Sequence, residues 1–480
     1  MENQIDAILA KFEAINAIPR CSKNETRLAA WLTEWARTRG YAFRSDPAGN
    51  LVIQVPASPG REDRAVVILQ GHMDMVCEKT PESTHDFEQD PIPVVRDGDW
   101  VHAVDTTLGA DNGIALAMSM VLAEDHALKH PPLELLFTVD EESGLLGAHK
   151  LDATLLKGRI LINIDSEDEG VFTIGCAGGE ETQVRLPVHY EDLPPDLDCL
   201  RLVVGGLRGG HSGVDIHKPR ANANRLLGRL LLNLQLEDGV RLVSLSGGSA
   251  HNAIPRDASA YLAFSPEAAP AVQAAIQNCQ AVFRDEQGQT EPHLFVRSEE
   301  LEEALPGRVL SRESAAQTVR LLNALPHGVH GMSTHVADLV ETSCNLAIVR
   351  IKNDALEVIS SQRSSSMSRL DEMTSRVTAV AALAGASATR LNRHPAWAPD
   401  PESSLLQRCR EVYRELNAKE PQVEVIHAGL ECGLIGDKVP GMEMISIGPN
   451  LRHPHSPDEK LELPSVGRVY TFLATLLASY

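Results

Sequence analysis

An α/β fold, with a mainly parallel sheet flanked by helices and split by an inserted α+β domain, is what the 480-residue sequence predicts. Three observations carry that expectation. Apolar stretches such as "AVVILQG" and "ILINIDSED" alternate with segments of helical period, the pattern of strands and crossover helices in a parallel sheet. From about residue 178 the texture changes to strand–turn–strand segments with helical patterns between them. After "HPAWAPDPES", near residue 400, the first texture returns.

Taken in order, residues 5–18 and 24–39 space their apolar side chains as amphipathic helices, and Gly40 stands where a helix C-cap wants a left-handed residue. "NLVIQV" and "AVVILQG" read as strands, the second apolar on both faces as in a central position. "GADNGIALAMSMVLAED" is a loop entering a helix, and "LELLFTVDEESGLLGAHKL" is a strand, an acidic loop and a helix. "LRLVVGGLRGGHSG" and "VRLVSLSGGSAHNAIPRDASAYLAF" are the strand–turn–strand segments of the insert. "GMEMISIGPN" and "SVGRVYTFLATLLASY" supply a last strand and a closing helix. Residues 1–179 and 399–480 are therefore assigned to one domain and residues 180–398 to the insert. Within the insert "HNAIPRDASAYLAF" is loosely echoed by "CNLAIVRIKNDALEVISSQR", through two related halves or through chance likeness of amphipathic strand pairs.

Composition excludes several classes of function. The formal net charge is -22, so nucleic acid and anionic membrane are poor partners. No apolar run approaches the roughly 20 residues of a membrane helix. The N-terminus, "MENQIDAILAKFEAINAIPR", lacks a signal-peptide core, and a cytoplasmic location is expected. Eight cysteines stand singly with no C-x-x-C pair, which argues against a disulfide framework or a cysteine zinc knuckle.

The chemistry gathers where strands end. His72 and Asp74 lie two apart and so share one side of an extended chain. Asp111 follows in "GADNG", Glu141 and Glu142 in "VDEESG", Asp165 in "NIDSED", and His453 and His455 in "RHPHSPDE". Singly, a loop histidine is a surface residue and an acidic pair is a solvated helix start. Together, at the ends of successive strands, they place unpaired charge beside apolar chain, which is costly unless cations neutralise it. Imidazole mixed with carboxylate suits Zn²⁺, Co²⁺ or Mn²⁺, and two ions sharing one bridging carboxylate account for the number of ligands.

The motifs "IPRCSKNE", "GHMDMV", "LGADNGIALA", "DEESGLLGA", "GGHSGVDIHK", "AHNAIPR" and "HSPDEK", in that order, span nearly the whole chain. Through them the sequence resembles the di-zinc peptidase family that includes carboxypeptidase G2, tripeptide aminopeptidases and carnosinases, and within it the aminoacyl-histidine dipeptidases. The resemblance implies a metallo-dipeptidase cleaving dipeptides, Xaa-His substrates such as β-alanyl-histidine among them. It makes His72, Asp111 and Asp165 the shell of one divalent ion, and Asp111, Glu142 and His455 that of the other. Zn²⁺ is the first choice of ion, with Co²⁺ or Mn²⁺ as alternatives. His455 is chosen over His453 because the family's ligand directly precedes S-x-x-E. Asp74 orients His72, and Glu141 is the general base and acid that works on a metal-bridging water. In the insert, the family's lid, His211 corresponds to an oxyanion donor, and Asn252 and Arg363 to substrate contacts. Dimeric members of the family pair through the lid, which makes a homodimer one expectation; a lid as long as residues 180–398 also fits the family's single-chain variant, in which one lid half imitates a partner, and whether His211 acts in cis or in trans stays open. An N-acyl amino acid deacylase on the same scaffold, or a non-catalytic metal-stabilised binding protein, are the alternative readings.

Overall fold

A computed structural model describes residues 2–234, 239–299, 301, 307–334, 336 and 338–480. The chain divides into two compact units: Met1–Cys176 with Trp397–Ile426 and Leu430–Tyr480, and Ala177–Ala396 with His427–Gly429.

In the first unit, helix α1 (Glu2–Asn16) buries Ile8, Phe12 and Ile15, and α2 (Thr26–Thr38) buries Leu28, Leu32, Trp35 and Ala36. Both sets recur at three- and four-residue steps, so each helix has one apolar stripe to cover. The helix α1 ends before the expected residue 18, and α2 gives way to Gly40 at φ +74°, a left-handed position that glycine adopts without strain.

The strands are β1 (Ala42–Ser45), β2 (Leu51–Val55), β3 (Val67–His72), β4 (Leu133–Thr138), β5 (Ile160–Asn163), β6 (Val171–Cys176), β7 (Gln422–Ile426) and β8 (Glu443–Ser446). They form one sheet in the order β1-β2-β4-β3-β5-β8-β6-β7. Its centre, β4-β3-β5-β8, is parallel throughout, and the edge pairs β1–β2 and β2–β4 are antiparallel. Every residue of β3 and β4 is buried, which is why their sequences are apolar on both faces rather than alternating. Ligand groups in such sheets collect beyond the carboxyl ends of the strands. Here the carboxyl ends of β3, β4 and β5 lead straight into His72, Glu141 and Asp165.

Helix α3 (Ala110–Glu124) packs on β3 and is buried along nearly its whole length. The approach is close at Gly71, where an added Cβ would stand 2.3 Å from Asn112 Oδ1 and 2.8 Å from Ala115 Cβ. A disulfide joins Cys21 to Cys77 with Cα atoms 5.7 Å apart, a pairing that the scattered cysteine spacing gave no reason to expect. The other six cysteines are free. Among the described residues no helix is long and apolar enough to cross a membrane.

The second unit is an antiparallel sheet covered by helices. Its path runs through Phe295–Glu299, Asp198–Gly205, Ala258–Phe264, Val240–Gly247, Val340–Lys352, Ala355–Ser364, Gly178–Pro187 and Ser387–His394. The junction in the middle is narrow: only Ser246↔Arg350 and Gly247↔Val349 pair across it, so two broader half-sheets meet at two residues. Helices Ala223–Asn233, Ala269–Gln287, Arg312–Ala324 and Met367–Leu383 close its apolar face.

The tight approach of α3 to β3 yields a test. Gly71→Ala should push Asn112 aside and cost about 1–3 kcal/mol, the usual penalty of overpacking. Thermal unfolding reads that loss; an unchanged melting temperature would mean that the two elements are not in fact pressed together at this point.

Candidate active site

His72 closes β3 with its side chain 1% exposed, and its backbone N–H is donated to Asn112 Oδ1 at 3.2 Å. Asn112 Nδ2 in turn donates to Ile164 O at 2.7 Å, so one amide side chain ties the ends of β3 and β5. The Asp111–Asn112 peptide is cis. Asp74 is fully buried and does more than aim the histidine. Its Oδ1 lies 3.3 Å from His72 Nδ1 and accepts from Glu141 N at 3.0 Å. Its Oδ2 accepts from Glu142 N at 3.2 Å and Ser22 Oγ at 2.8 Å. One carboxylate therefore fixes the imidazole at the end of β3 and the backbone of the acidic loop after β4.

Asp111 enters through the first turn of α3, which a second buried carboxylate secures. Glu459 Oε2 accepts from Leu108 N (2.7 Å) and Gly109 N (2.9 Å), and its Oε1 from Ala110 N (2.8 Å) and Asp111 N (3.2 Å). These are amides that a helix start leaves without partners, and a negative charge suits that end of the helix. Arg20, from the "IPR" segment, donates to Met73 O, Asp74 O and Gly109 O at 3.1, 3.0 and 2.5 Å, joining the loops after β3 and before α3.

The side chains converge as two overlapping triples. His72, Asp111 and Asp165 form one and Asp111, Glu142 and His455 the other, with the atoms of each triple within 4.8 Å of one another. Asp111 belongs to both: His72 Nε2 is 3.1 Å from its Oδ1, and His455 Nε2 is 3.1 Å from its Oδ2. His72 Nε2 also lies 3.5 Å from Asp165 Oδ1, and His455 Nε2 lies 3.1 Å from Glu142 Oε2. The other oxygen of Glu142, Oε1, is buried and accepts no hydrogen bond among the described residues. An orphaned carboxylate oxygen within a ring of imidazoles and carboxylates fits a divalent cation of the zinc type. Glu141 also reaches His72 and Glu142, so it stands beside both triples. His453 joins none of these groups among the described residues. A further acidic trio, Glu25, Asp74 and Asp140, is occupied by hydrogen bonds instead: Glu25 Oε1 accepts from Lys23 N and Asp140 N at 2.9 Å, and Asp140 Oδ1 from Ser143 Oγ at 2.6 Å.

The electrostatics describe a site strongly coupled to protons. Burial opposes charging His72, but Asp165, Asp111 and Asp74 outweigh it and raise its pKa well above the usual value. Hydrogen bonds to Asp111 and Glu142 carry His455 up to about 11. Burial lifts Asp165 to about 6 in spite of His72, with Asp111 and Glu142 adding to the rise. Burial also raises Glu141 well above the carboxylate range, with Asp165, Glu142 and Glu431 adding to the effect and His72 opposing it. For Asp74 burial pulls upward, but the bonds to His72 and to the Glu141 N–H hold it at about 2.

In the second unit, His211 lies in a short strand, Gly210–His211, paired with Ala253–Ile254. Its Nδ1 accepts from Val214 N at 3.1 Å and Gly213 N at 3.3 Å, which leaves the proton on Nε2 and makes that nitrogen a donor. Burial, with Arg363 nearby, lowers its pKa to about 4, so the ring is neutral. The Arg363 Nε is buried without a partner among the described residues, and burial lowers that guanidinium to about 10. Asn252 has an exposed side chain, and its carbonyl accepts from Ser212 N at 2.8 Å. His427 joins this neighbourhood unforeseen, its Nε2 2.8 Å from Ser343 Oγ and its Nδ1 unpartnered among the described residues.

Residues 68–479 match the protein family described as peptidase family M20/M25/M40. The chain is similar to the cytosol non-specific dipeptidase of Escherichia coli (strain K12), 39% identical over 466 residues that cover 97% of this chain and 96% of the relative. Among solved structures it is similar to the aminoacylhistidine dipeptidase from Vibrio alginolyticus, with a TM-score of 0.87, 39% identity and coverage of 98% and 96% of the two chains. Human carnosine dipeptidase 1, 12% identical with a TM-score of 0.52 over 99% and 97% of the chains, shares the fold.

Two outcomes follow from the geometry. With His72 and His455 protonated in the metal-free site, a divalent ion must displace their protons. Adding Zn²⁺ to chelator-stripped protein at pH 7 should release on the order of two protons per chain, and affinity should fall as pH falls. An indicator dye reads the release, and a value near zero would exclude this pair as ligands. Glu459→Ala should orphan the amides before Asp111 and destabilise the stripped protein by on the order of 3 kcal/mol, read by denaturant unfolding.

Proposed function

The chain belongs to peptidase family M20/M25/M40, and on that footing we propose that this metallopeptidase is a dipeptidase, with Xaa-His dipeptides such as β-alanyl-histidine among its substrates. The observation that carries the chemistry is Asp111, with one carboxylate oxygen on His72 and the other on His455. His72, Asp111 and Asp165 are assigned to one divalent ion, and Asp111, Glu142 and His455 to a second, with Zn²⁺ preferred to Co²⁺ or Mn²⁺ on the donor set. Such a pair supplies Lewis-acid polarisation of the scissile carbonyl and lowers the pKa of water towards roughly 7.

The protein's own groups do the rest. The Glu141 carboxylate takes a proton from the attacking water, whose oxygen bonds to the carbonyl carbon. Glu141 then delivers that proton to the amide nitrogen, the C–N bond breaks, and an acid and an amine leave. Asp74 fixes the Glu141 backbone and the His72 ring together, so base and ligand keep one geometry. We assign His211, through Nε2–H, to the developing oxyanion, Arg363 to the substrate's terminal carboxylate, and Asn252 to a further contact with the substrate. Association of two copies through the Ala177–Ala396 unit and a cytoplasmic location complete the reading; the relative in Escherichia coli carries the name of a cytosolic enzyme.

Glu141→Gln should keep near-normal metal content while turnover falls by about 10²–10⁴-fold. Glu142→Ala and Asp111→Ala should lose metal together with activity. Loss of metal from Glu141→Gln with full retention in Glu142→Ala would reverse the two roles. The substrate class is tested with a panel of free dipeptides, N-acetyl amino acids and tripeptides. Free dipeptides should be cleaved fastest, whereas preference for N-acetyl amino acids would point to a deacylase.

A further inference from the structure

One buried carboxylate close to the centre has no task in the reaction above. Glu431 opens helix α4 (Glu431–Lys438) and is 1% exposed. Its Oε2 accepts from Gln70 Nε2 at 2.6 Å and from Thr138 Oγ1 at 2.7 Å, while its Oε1 meets no donor among the described residues. Gln70 lies on β3 two residues before His72, and Thr138 ends β4 three residues before Glu141. The row continues sideways. Gln70 Oε1 accepts from Asn163 Nδ2 at 2.5 Å, at the end of β5, and Asn163 Oδ1 accepts from Ser446 Oγ, at the end of β8. A single chain of hydrogen bonds thus crosses β4, β3, β5 and β8, the parallel centre of the sheet.

A glutamine at 431 could accept the same two hydrogen bonds without a charge, so bonding alone does not explain a carboxylate. Among the described residues no Lys or Arg pairs with it. The charged groups that it senses are His72, Asp165 and Asp74, and burial pushes its pKa up to about 7. A buried anion without a cationic partner is costly unless a cation comes close.

We infer that Glu431 is an outer counter-anion of the metal centre, a positioning residue whose hydrogen bonds hold the ends of β3 and β4 and whose charge strengthens the binding of divalent cations. The inference rests on the two-ion reading proposed above. In the metal-free protein the charge is a burden, and in the loaded protein it is compensated.

The test compares the native chain with Glu431→Gln and with the exchange Glu431→Gln/Gln70→Glu. In the exchange the new amide at 431 can donate to the new carboxylate at 70 and still accept from Thr138, so the charge moves along the same row. Dissociation constants for Zn²⁺ and Co²⁺ come from competition with a chromophoric chelator, and melting temperatures are taken on stripped protein. Glu431→Gln should bind both ions at least about tenfold more weakly, the range seen when an outer-shell partner is lost. Its stripped form should melt no lower than the native protein, and the exchange should recover most of the affinity. An affinity within twofold of native, an equal loss in both variants, or a stripped Glu431→Gln that melts lower or does not fold would overturn the inference, because the residue would then be structural. A native protein that binds neither ion would overturn the two-ion reading as well.

Discussion

Asp111, Glu142 and Asp165 crowd together, with Glu141 beside them, in a space where overlapping triples keep their titratable atoms within 4.8 Å. No fold would gather them unless other forces held each in place. The surrounding structure supplies those forces largely with backbone dipoles. Asp74 takes the N–H groups of Glu141 and Glu142, Glu459 takes those of residues 108–111, and Asn112 takes that of His72. The segments that carry His72, Asp111 and Glu142 are thus locked through their main chain, and the Nε2 of His72 and the carboxylates of Asp111 and Glu142 are left to face one another. In the absence of cations the two histidines take up protons and pair with the acids, which accounts for the upward shifts at His72 and His455.

The parallel centre of the sheet explains why this arrangement is compact. β4, β3 and β5 are neighbours and run the same way, so their following residues emerge side by side. The crossover after β3 returns through α3, whose first turn carries the shared carboxylate. Gly71 allows that helix to sit directly against the strand, and Asn112 then bridges to Ile164 beyond β5. Sheet order, helix approach and ligand spacing are consequences of one packing problem.

Much of this was legible in the sequence, for a physical reason. An apolar run that ends in His-x-Asp or in paired acids marks a buried strand whose charges need partners, so β3, β4, β5 and the residues after them could be read directly. The supporting groups were harder to see. Glu459 acts on amides that precede it by 348–351 positions, and Glu431 reaches Gln70 across 361. Arg20 works through carbonyl oxygens, which carry no residue identity. Such groups look like ordinary charged residues of a turn or helix start; Arg20 and Glu459 at least stand inside the quoted motifs, whereas Glu431 stands in none of them. The pairing of Cys21 with Cys77 was hidden for the same reason, since it depends on segments brought together by the fold. The preference for His455 over His453 rested on its place directly before S-x-x-E, and His455 lies 3.1 Å from both Asp111 and Glu142.

The central claim is that Asp111 is shared between two cations. Anomalous diffraction from crystals of the zinc-loaded protein, recorded on both sides of the zinc absorption edge, addresses it directly. The account predicts two peaks about 3.5–4 Å apart, the spacing of two-metal hydrolytic sites, with Asp111 between them, Asp165 on one side and Glu142 with His455 on the other. A single peak, or two peaks with Asp111 bound to only one, would contradict it.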